Sequence, residues 1–316
     1  MKIALLCPPR MGRRSGNAVT AQRYRSLFSS LGHSVRILDA YDGKPYDVLV
    51  ALHAKKSAQG ALAFARAHPQ SRLIVVMTGT DLYRDIARSA RAQRLLTCAT
   101  SIVTLQRDGI RLLPQALRRK AIAIVQSALM PRMRMRRDAD AQQPWRFLVV
   151  GHLRREKDSL RAAQALALLP RSLCATVLQI GSSLDASHTR RALAWQQREK
   201  RYRWVGERSA LFVRQQMTRG DVLVIPSRME GGANVVCEAI AAGLPVLASR
   251  ISGNLGLLGD TYSGYFAVGN TMQCAALMRR FAEDASFRTR LRREIRALAS
   301  LVKPKYERSA WEKLLR

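Results

Sequence analysis

Negative charge is scarce in this sequence: 22 Asp and Glu stand against 54 Lys and Arg, a formal charge of +32 over 316 residues. Lysine is scarce too, at ten of the 54 cations, so guanidinium groups carry the charge. Such a balance favours anionic partners in general. Aromatic residues make up only 6%, and the arginines are spread along every segment instead of gathering into a stripe with stacking platforms. That pattern argues against nucleic acid as the partner. The five cysteines, Cys7, Cys98, Cys174, Cys237 and Cys274, are odd in number and far apart, with no CxxC or Cys/His spacing. Reduced, structural cysteines are expected, and no metal site. No apolar run approaches the roughly 20 residues of a membrane span, and the opening KIALLC is too short for a signal peptide's core. A soluble, cytoplasmic chain without stable membrane insertion is the expectation.

At this length two domains are expected, because a single core rarely grows past about 250 to 300 residues. One pattern recurs in both halves: an apolar run, then glycine or polar residues, then a helical stretch. In the first half the runs are Ile3–Cys7, Ser34–Leu38, Asp47–Leu52, Leu73–Met77, Ser101–Leu105 and Ile122–Val125; in the second they are Trp145–Val150, Thr176–Ile180, Tyr202–Val205, Asp221–Ile225 and Leu244–Ala248. Strands alternating with helices imply parallel, doubly wound sheets. The expected architecture is α/β: an N-terminal Rossmann-like domain over 1–130, a polar linker over 131–144, a second such domain over 145–302 facing the first across a cleft, and a helix over 303–316 that crosses back. Asp138 and Asp140 form a DxD within the linker, off any strand end, where solvated charge is the simpler account than metal–nucleotide binding.

The most informative stretch is Ile225–Gly253, IPSRMEGGANVVCEAIAAGLPVLASRISG. Glu230 follows a buried strand, at the sheet edge where open α/β folds bind ligands. Gly231 and Gly232 let backbone N–H groups approach a ligand, and a helix opens near Asn234, with Ala233 and Val235 in its first turn. Glu238 lies about one turn on, roughly 6 Å along the axis. One carboxylate can then take hydroxyls of a sugar ring and the other a ribose diol, with a diphosphate at the helix N-terminus between them. Gly151, His152, Arg154 and Lys157 follow another strand, and the two cations are placed to neutralise a departing diphosphate without a metal. Gly181 and Ser182 close the next strand on the same edge.

In the first half His53 follows a buried strand at the equivalent edge. Thr78, Gly79, Thr80 and Asp81 resemble a hydroxyl and amide nest for an anion, with Asp81 able to orient a sugar or a basic side chain. Gly16 and Asn17 can cradle an oxyanion, or can serve as ordinary residues of a turn before a helix.

With these residues assembled, the chain resembles the retaining glycosyltransferases of GT-B fold: Pro226, Ser227, Glu230, Gly231 and Glu238 match PS-x-x-EG...E, and Val150, Gly151, Leu153 and Lys157 match VG-x-L-x-x-x-K. That resemblance implies Glu238 on the ribose, Glu230 and the following amides on the transferred sugar, and Lys157 on the diphosphate. His152 stands where that family usually has arginine. The strings ALHAKKSA, TGTDLYRD, VGHLRREKD, YRWVGE, SRMEGGANVVCEA and PVLASRISGNLGLLG are similar to the selenosugar synthase family of selenoneine biosynthesis, which carries histidine at that position. The similarity implies UDP-N-acetylglucosamine and selenophosphate as substrates and no cofactor, with Arg10, Arg13, Lys55 and Arg84 as candidate cations for the small anionic acceptor. The alternatives are a hexosyltransferase to a hydroxyl acceptor, a sugar-nucleotide epimerase of the same two-domain plan, and a nucleic-acid-binding protein on the same scaffold.

Overall fold

The computed structural model describes residues 1–8, 16–134 and 142–316. Arg10, Arg13 and the Asp138/Asp140 pair lie outside the described residues. Two compact units form: Met1–Val125 with Glu307–Arg316, and Gln126–Tyr306.

The first unit is built on strands β1 (Lys2–Leu6), β2 (Ser34–Leu38), β3 (Val48–Leu52), β4 (Arg72–Met77), β5 (Ser101–Thr104) and β6 (Ala121–Ala123), in the order β2-β1-β3-β4-β5-β6. Every neighbouring pair is parallel. The VLVAL run of β3 is buried at all five positions, which explains its unbroken apolar character: helices cover both faces of a parallel sheet. The edge strand β2 keeps Ser34 and Arg36 exposed.

The helix Pro304–Leu315 follows the second unit in sequence but packs in the first. Proline at its first position costs no hydrogen bond and presets φ for helix. Trp311 is fully buried, edge-on to Tyr24 and Phe28 at 4.9 Å between ring centroids in each case. Those two rings sit four residues apart on one face of the helix Gly16–Ser30. Around this aromatic core the Glu307 carboxylate takes the Arg23 guanidinium, and Arg72 donates to the carbonyls of Leu314 and Leu315 in the last turn.

In the second unit β7 (Trp145–Val150), β8 (Ala175–Ile180), β9 (Tyr202–Trp204), β10 (Val222–Ile225), β11 (Val246–Ser249) and β12 (Tyr265–Phe266) run in the order β12-β11-β10-β7-β8-β9, again all parallel. Chain order reverses between β7 and β10, and this is the switch point at which such sheets bind ligands. The expected α/β architecture of two parallel, Rossmann-like sheets is therefore present. The sixth strand of the second sheet, β12, has only two residues and no apolar run to announce it. Part of the segment expected as a linker is tied to the second unit, where Met133 N–H donates to the Ala242 carbonyl and Arg134 N–H to that of Thr218.

Truncating Trp311 to alanine is expected to cost about 3–5 kcal/mol, the usual range for a large aromatic core residue. Urea unfolding followed by tryptophan-independent circular dichroism checks this, and an unchanged midpoint would contradict the packing.

Candidate active site

The carboxyl ends of β7 and β10 carry the loops that the sequence singles out. At the end of β7, Gly151 has φ 157° and its N–H donates to the Ile180 carbonyl at 2.8 Å. A Cβ on the neighbouring Gly181 would fall inside the Gly151 carbonyl and 2.8 Å from the His152 nitrogen. Glycine at 181 is thus demanded by the contact of two strand ends, whatever its role toward a ligand. Gln179 Nε2 donates to the Gly151 carbonyl at 3.0 Å, and His152 Nδ1 is hydrogen-bonded to Ser182 Oγ at 2.7 Å. These bonds fix the loop that leads through the short 3₁₀ turn Arg155–Lys157.

Across the switch point Lys157 Nζ meets Glu230 Oε1 at 2.5 Å, with side-chain exposures of 17% and 7%. The sequence assigns these two side chains to different parts of a ligand; the structure brings them into direct contact. Ser227 Oγ donates to the same Glu230 oxygen at 2.5 Å. Behind it Ser249 Oγ donates to the Ser227 carbonyl, and Asn254 Nδ2 donates to the Ser249 carbonyl at 2.9 Å. Ser227, Ser249 and Asn254 are all buried. Glu230 therefore stands at the front of a chain of buried polar groups.

Gly253 completes that support. A Cβ there would penetrate the Glu230 carbonyl oxygen and lie 2.8 Å from both the carbonyl carbon and the Cβ of Glu230. Gly253, Ser249 and Asn254 escaped the motif analysis because they act on backbone and side-chain position from behind; the clustering of small and polar residues in ASRISGN is the only trace of this in the sequence.

Beyond Gly231 and Gly232 the helix Asn234–Ala242 begins at Ala233, an N-cap with no side-chain hydrogen bond, and ends at Gly243 in the left-handed conformation, φ 75°. An alanine cap leaves first-turn N–H donors to groups outside the helix. Glu238 is half-buried one turn in. Glu230, Lys157, the uncapped helix start and Glu238 thus all belong to one unit and flank one switch point.

In the first unit the cluster around His53 departs from expectation. Thr78, Gly79, Thr80 and Asp81 were to offer amides to an acceptor anion. Instead the buried Asp81 carboxylate takes two of those amides itself, accepting from Gly79 N at 2.8 Å and from Thr78 N at 3.1 and 3.2 Å, and it also accepts from Ala54 N at 3.0 Å. The nest is real, and the protein's own carboxylate fills it. Asp81–Asp85 then forms a single π-helical turn, an element often found at functional positions. It presents Asp85 to three side-chain nitrogens: His53 Nε2 at 3.8 Å, Lys55 Nζ at 3.7 Å and Arg84 Nε at 3.4 Å. His53 Nε2 is also hydrogen-bonded to Thr80 Oγ1 at 3.1 Å. His53 itself is buried at φ 72°, ψ 97°, a backbone conformation that non-glycine residues adopt only under constraint. Of the remaining candidates, Gly16 and Asn17 open the helix Gly16–Ser30, with Gly16 exposed and nothing within 4 Å of a Cβ built on it. Among the described residues no group of three or more His, Cys, Asp or Glu could hold a metal ion, and no helix is long and apolar enough to cross a membrane.

Two outcomes follow. Gly253→Ala is expected to shift Glu230 and lower stability by about 1–3 kcal/mol, as overpacking does, whereas Gly16→Ala is neutral; urea midpoints of the two variants check the contrast. Burial holds the His53 imidazole below its usual range, against the upward pull of Asp81 and Asp85. The unfolded chain therefore takes up this proton first, and stability is full above about pH 6.5 and declines as the pH falls from there toward the folded value. His53→Asn, which tolerates positive φ, is expected to flatten that decline in midpoints measured from pH 8 to 5.

Residues 133–298 match the family model for glycosyl transferases group 1. The fold is similar to sucrose-phosphate synthase from Thermosynechococcus elongatus, with a TM-score of 0.79 at 16% identity over 99% of this chain and 98% of that one. It is also similar to Anabaena HepE in complex with UDP and glucose, with a TM-score of 0.74 at 18% identity over 99% of each chain. The lipopolysaccharide outer core galactosyltransferase WaaB matches with a TM-score of 0.69 at 12% identity, over 99% and 98%. At these identities the structural likeness is one of fold; the family match, which spans more than half of the chain and contains Lys157, Glu230 and Glu238, establishes that the protein belongs to the glycosyl transferases of group 1.

Proposed function

We propose that the protein transfers the sugar of UDP-N-acetylglucosamine to selenophosphate, as a selenosugar synthase acting without a metal at the donor. The observation that carries the donor half is the Lys157–Glu230 pair at the switch point, on the loops that lead to an uncapped helix start with Glu238 one turn in. HepE, of the same fold, is known in complex with UDP and with UDP-glucose. In the proposed complex Glu238 accepts from the ribose diol and Glu230 from hydroxyls of the sugar. As the bond from the anomeric carbon to the diphosphate oxygen breaks, negative charge grows on the leaving UDP, and Lys157 with Arg154 and the first-turn amides stabilises it. Half-buried beside Glu230, the ammonium needs little reorganisation to share its charge with a diphosphate. His152, Gly151, Gly181, Ser182 and the segment Gly231 to Val235 complete the donor site.

The acceptor half rests on the shared strings, ALHAKKSA and TGTDLYRD above all, whose residues form the His53–Lys55–Thr80–Arg84–Asp85 cluster. Selenium in selenophosphate is already a strong nucleophile, so positioning matters more than proton removal. Its attack forms the selenium–carbon bond and releases UDP; water then cleaves the selenium–phosphorus bond to give phosphate and the selenosugar. One observation favours a second reading. A neutral imidazole flanked by Asp81 and Asp85 has the arrangement of a general base, which a hydroxyl acceptor needs and selenophosphate does not.

Purified protein incubated with UDP-N-acetylglucosamine and selenophosphate is expected to yield a selenosugar and UDP by mass spectrometry. Lys157→Ala should reduce the rate about 10²–10³-fold, the usual loss for one charge-stabilising donor. If selenophosphate is inert while a sugar hydroxyl is glycosylated, the second reading replaces the first. If UDP neither raises the melting temperature nor is released, both fall.

A further inference from the structure

A cavity of the Gln126–Tyr306 unit, of about 430 Å³, has a composition unlike the candidate sugar-nucleotide site. Its lining includes Arg154, Arg155, Arg161, Arg191 and Arg228, together with His188, and excludes Lys157, Glu230, Glu238 and Gly181. Asp158 is the one carboxylate in the lining. Five guanidinium groups around one carboxylate leave the cavity with a net positive charge that favours an anion, although Arg155, Arg191 and Arg228 also face water.

Asp158 cannot serve the whole cluster. It accepts from Arg161 at 2.8 and 3.1 Å and faces Arg228 at 3.5 Å, held in a left-handed backbone conformation, φ 45°. Arg161 is further committed through Nη1 to Thr271 Oγ1 at 2.5 Å, and the His188 ring is taken by Asp185 at 2.7 Å. These commitments make one wall of the cavity rigid. Arg154 Nε is enclosed and has no hydrogen-bond acceptor. Among the described residues no carboxylate pairs with Arg154, Arg155 or Arg191. An enclosed guanidinium nitrogen left without an acceptor is costly, so Arg154 is placed to take an acceptor from outside the chain, with the water-facing Arg155 and Arg191 beside it.

The volume suits a small ligand. Guanidinium forks from separate elements, the loop after β7, the helix Ala186–Arg198 and the loop after β10, match the several oxygens of a tetrahedral oxyanion better than a planar one. We propose that this cavity binds a phosphate group, carried by inorganic phosphate or by a small phosphomonoester, at a site that shares Arg154 with that of the sugar nucleotide and is otherwise lined by different residues. Arg154 apart, the site goes beyond the donor and acceptor assignments, and it does not depend on which acceptor is used.

The test is isothermal titration of the full chain with inorganic phosphate and, separately, with glucose 6-phosphate, each with and without saturating UDP. Saturable binding that persists with UDP present is expected for whichever phosphate the cavity takes. In the Arg155→Ala/Arg191→Ala double variant that binding should weaken about tenfold or more, from the loss of two charge-assisted contacts. Arg191→Gln should give an intermediate loss. The UDP affinity and melting temperature of both variants should stay as in wild type, which excludes unfolding. The proposal is overturned if neither phosphate binds saturably, if wild type and double variant bind alike, or if UDP displaces the phosphate competitively. Failure of the donor assignment is read separately, as absence of UDP binding in the same titrations.

Discussion

The pairing of Lys157 with Glu230 is the constraint around which the second unit is organised. An ammonium and a carboxylate this far removed from water are stable only in company, because removing either partner strands the other. That requirement explains features that otherwise look unrelated. Ser227 supplies the extra hydrogen bond that a buried carboxylate needs, Ser249 and Asn254 hold Ser227 in place, and Gly253 is reduced to a hydrogen side chain so that the Glu230 backbone can come close. The strand order reverses beneath this pair, so the opened crevice and the paired charges coincide.

The first unit solves a comparable problem by the opposite means. Its amide nest at Thr78 and Gly79 is closed by an internal carboxylate, and a second carboxylate, Asp85, gathers His53, Lys55 and Arg84. Charge here is balanced within a few residues of chain, and the imidazole is kept neutral by burial. The constrained backbone at His53 is the visible cost of placing that ring where a strand turns directly into the helix Ala54–Ala67. One unit thus offers charges that can be shared with a ligand, and the other an orienting set already neutralised.

Much of this was legible before the structure. Buried parallel strands write themselves as unbroken apolar runs, so VLVAL and DVLVI could be read directly, and Gly243 marked the end of its helix as a left-handed cap should. The positions of Glu230 and Lys157 just past such runs, and of Glu238 in the helix that follows, could be read in the same way. What periodicity cannot carry is the partner of a side chain. Nothing in TGTDLYRD tells that Asp81 folds back onto the amides before it, because an anion nest looks the same in sequence whether its anion is foreign or its own. Likewise Gly253 sits 23 positions from Glu230, and β12 is too short for any pattern. Arginine was misleading by abundance: in a chain with so many, the ones that gather around Asp158 are indistinguishable from those on solvated faces until the fold brings them together.

Trp311 has a bearing on how the protein is made. The core of the first unit is closed by a helix that leaves the ribosome some 180 residues after that unit's last strand, whereas the second unit is continuous in sequence. Domains fold largely as they emerge, N-terminal segments first. Here the order is inverted: the first sheet must wait with Tyr24 and Phe28 uncovered while the second assembles. The aromatic trio is therefore a late-acting latch, and the interval before it closes is when nascent chains are most open to chaperones and to each other.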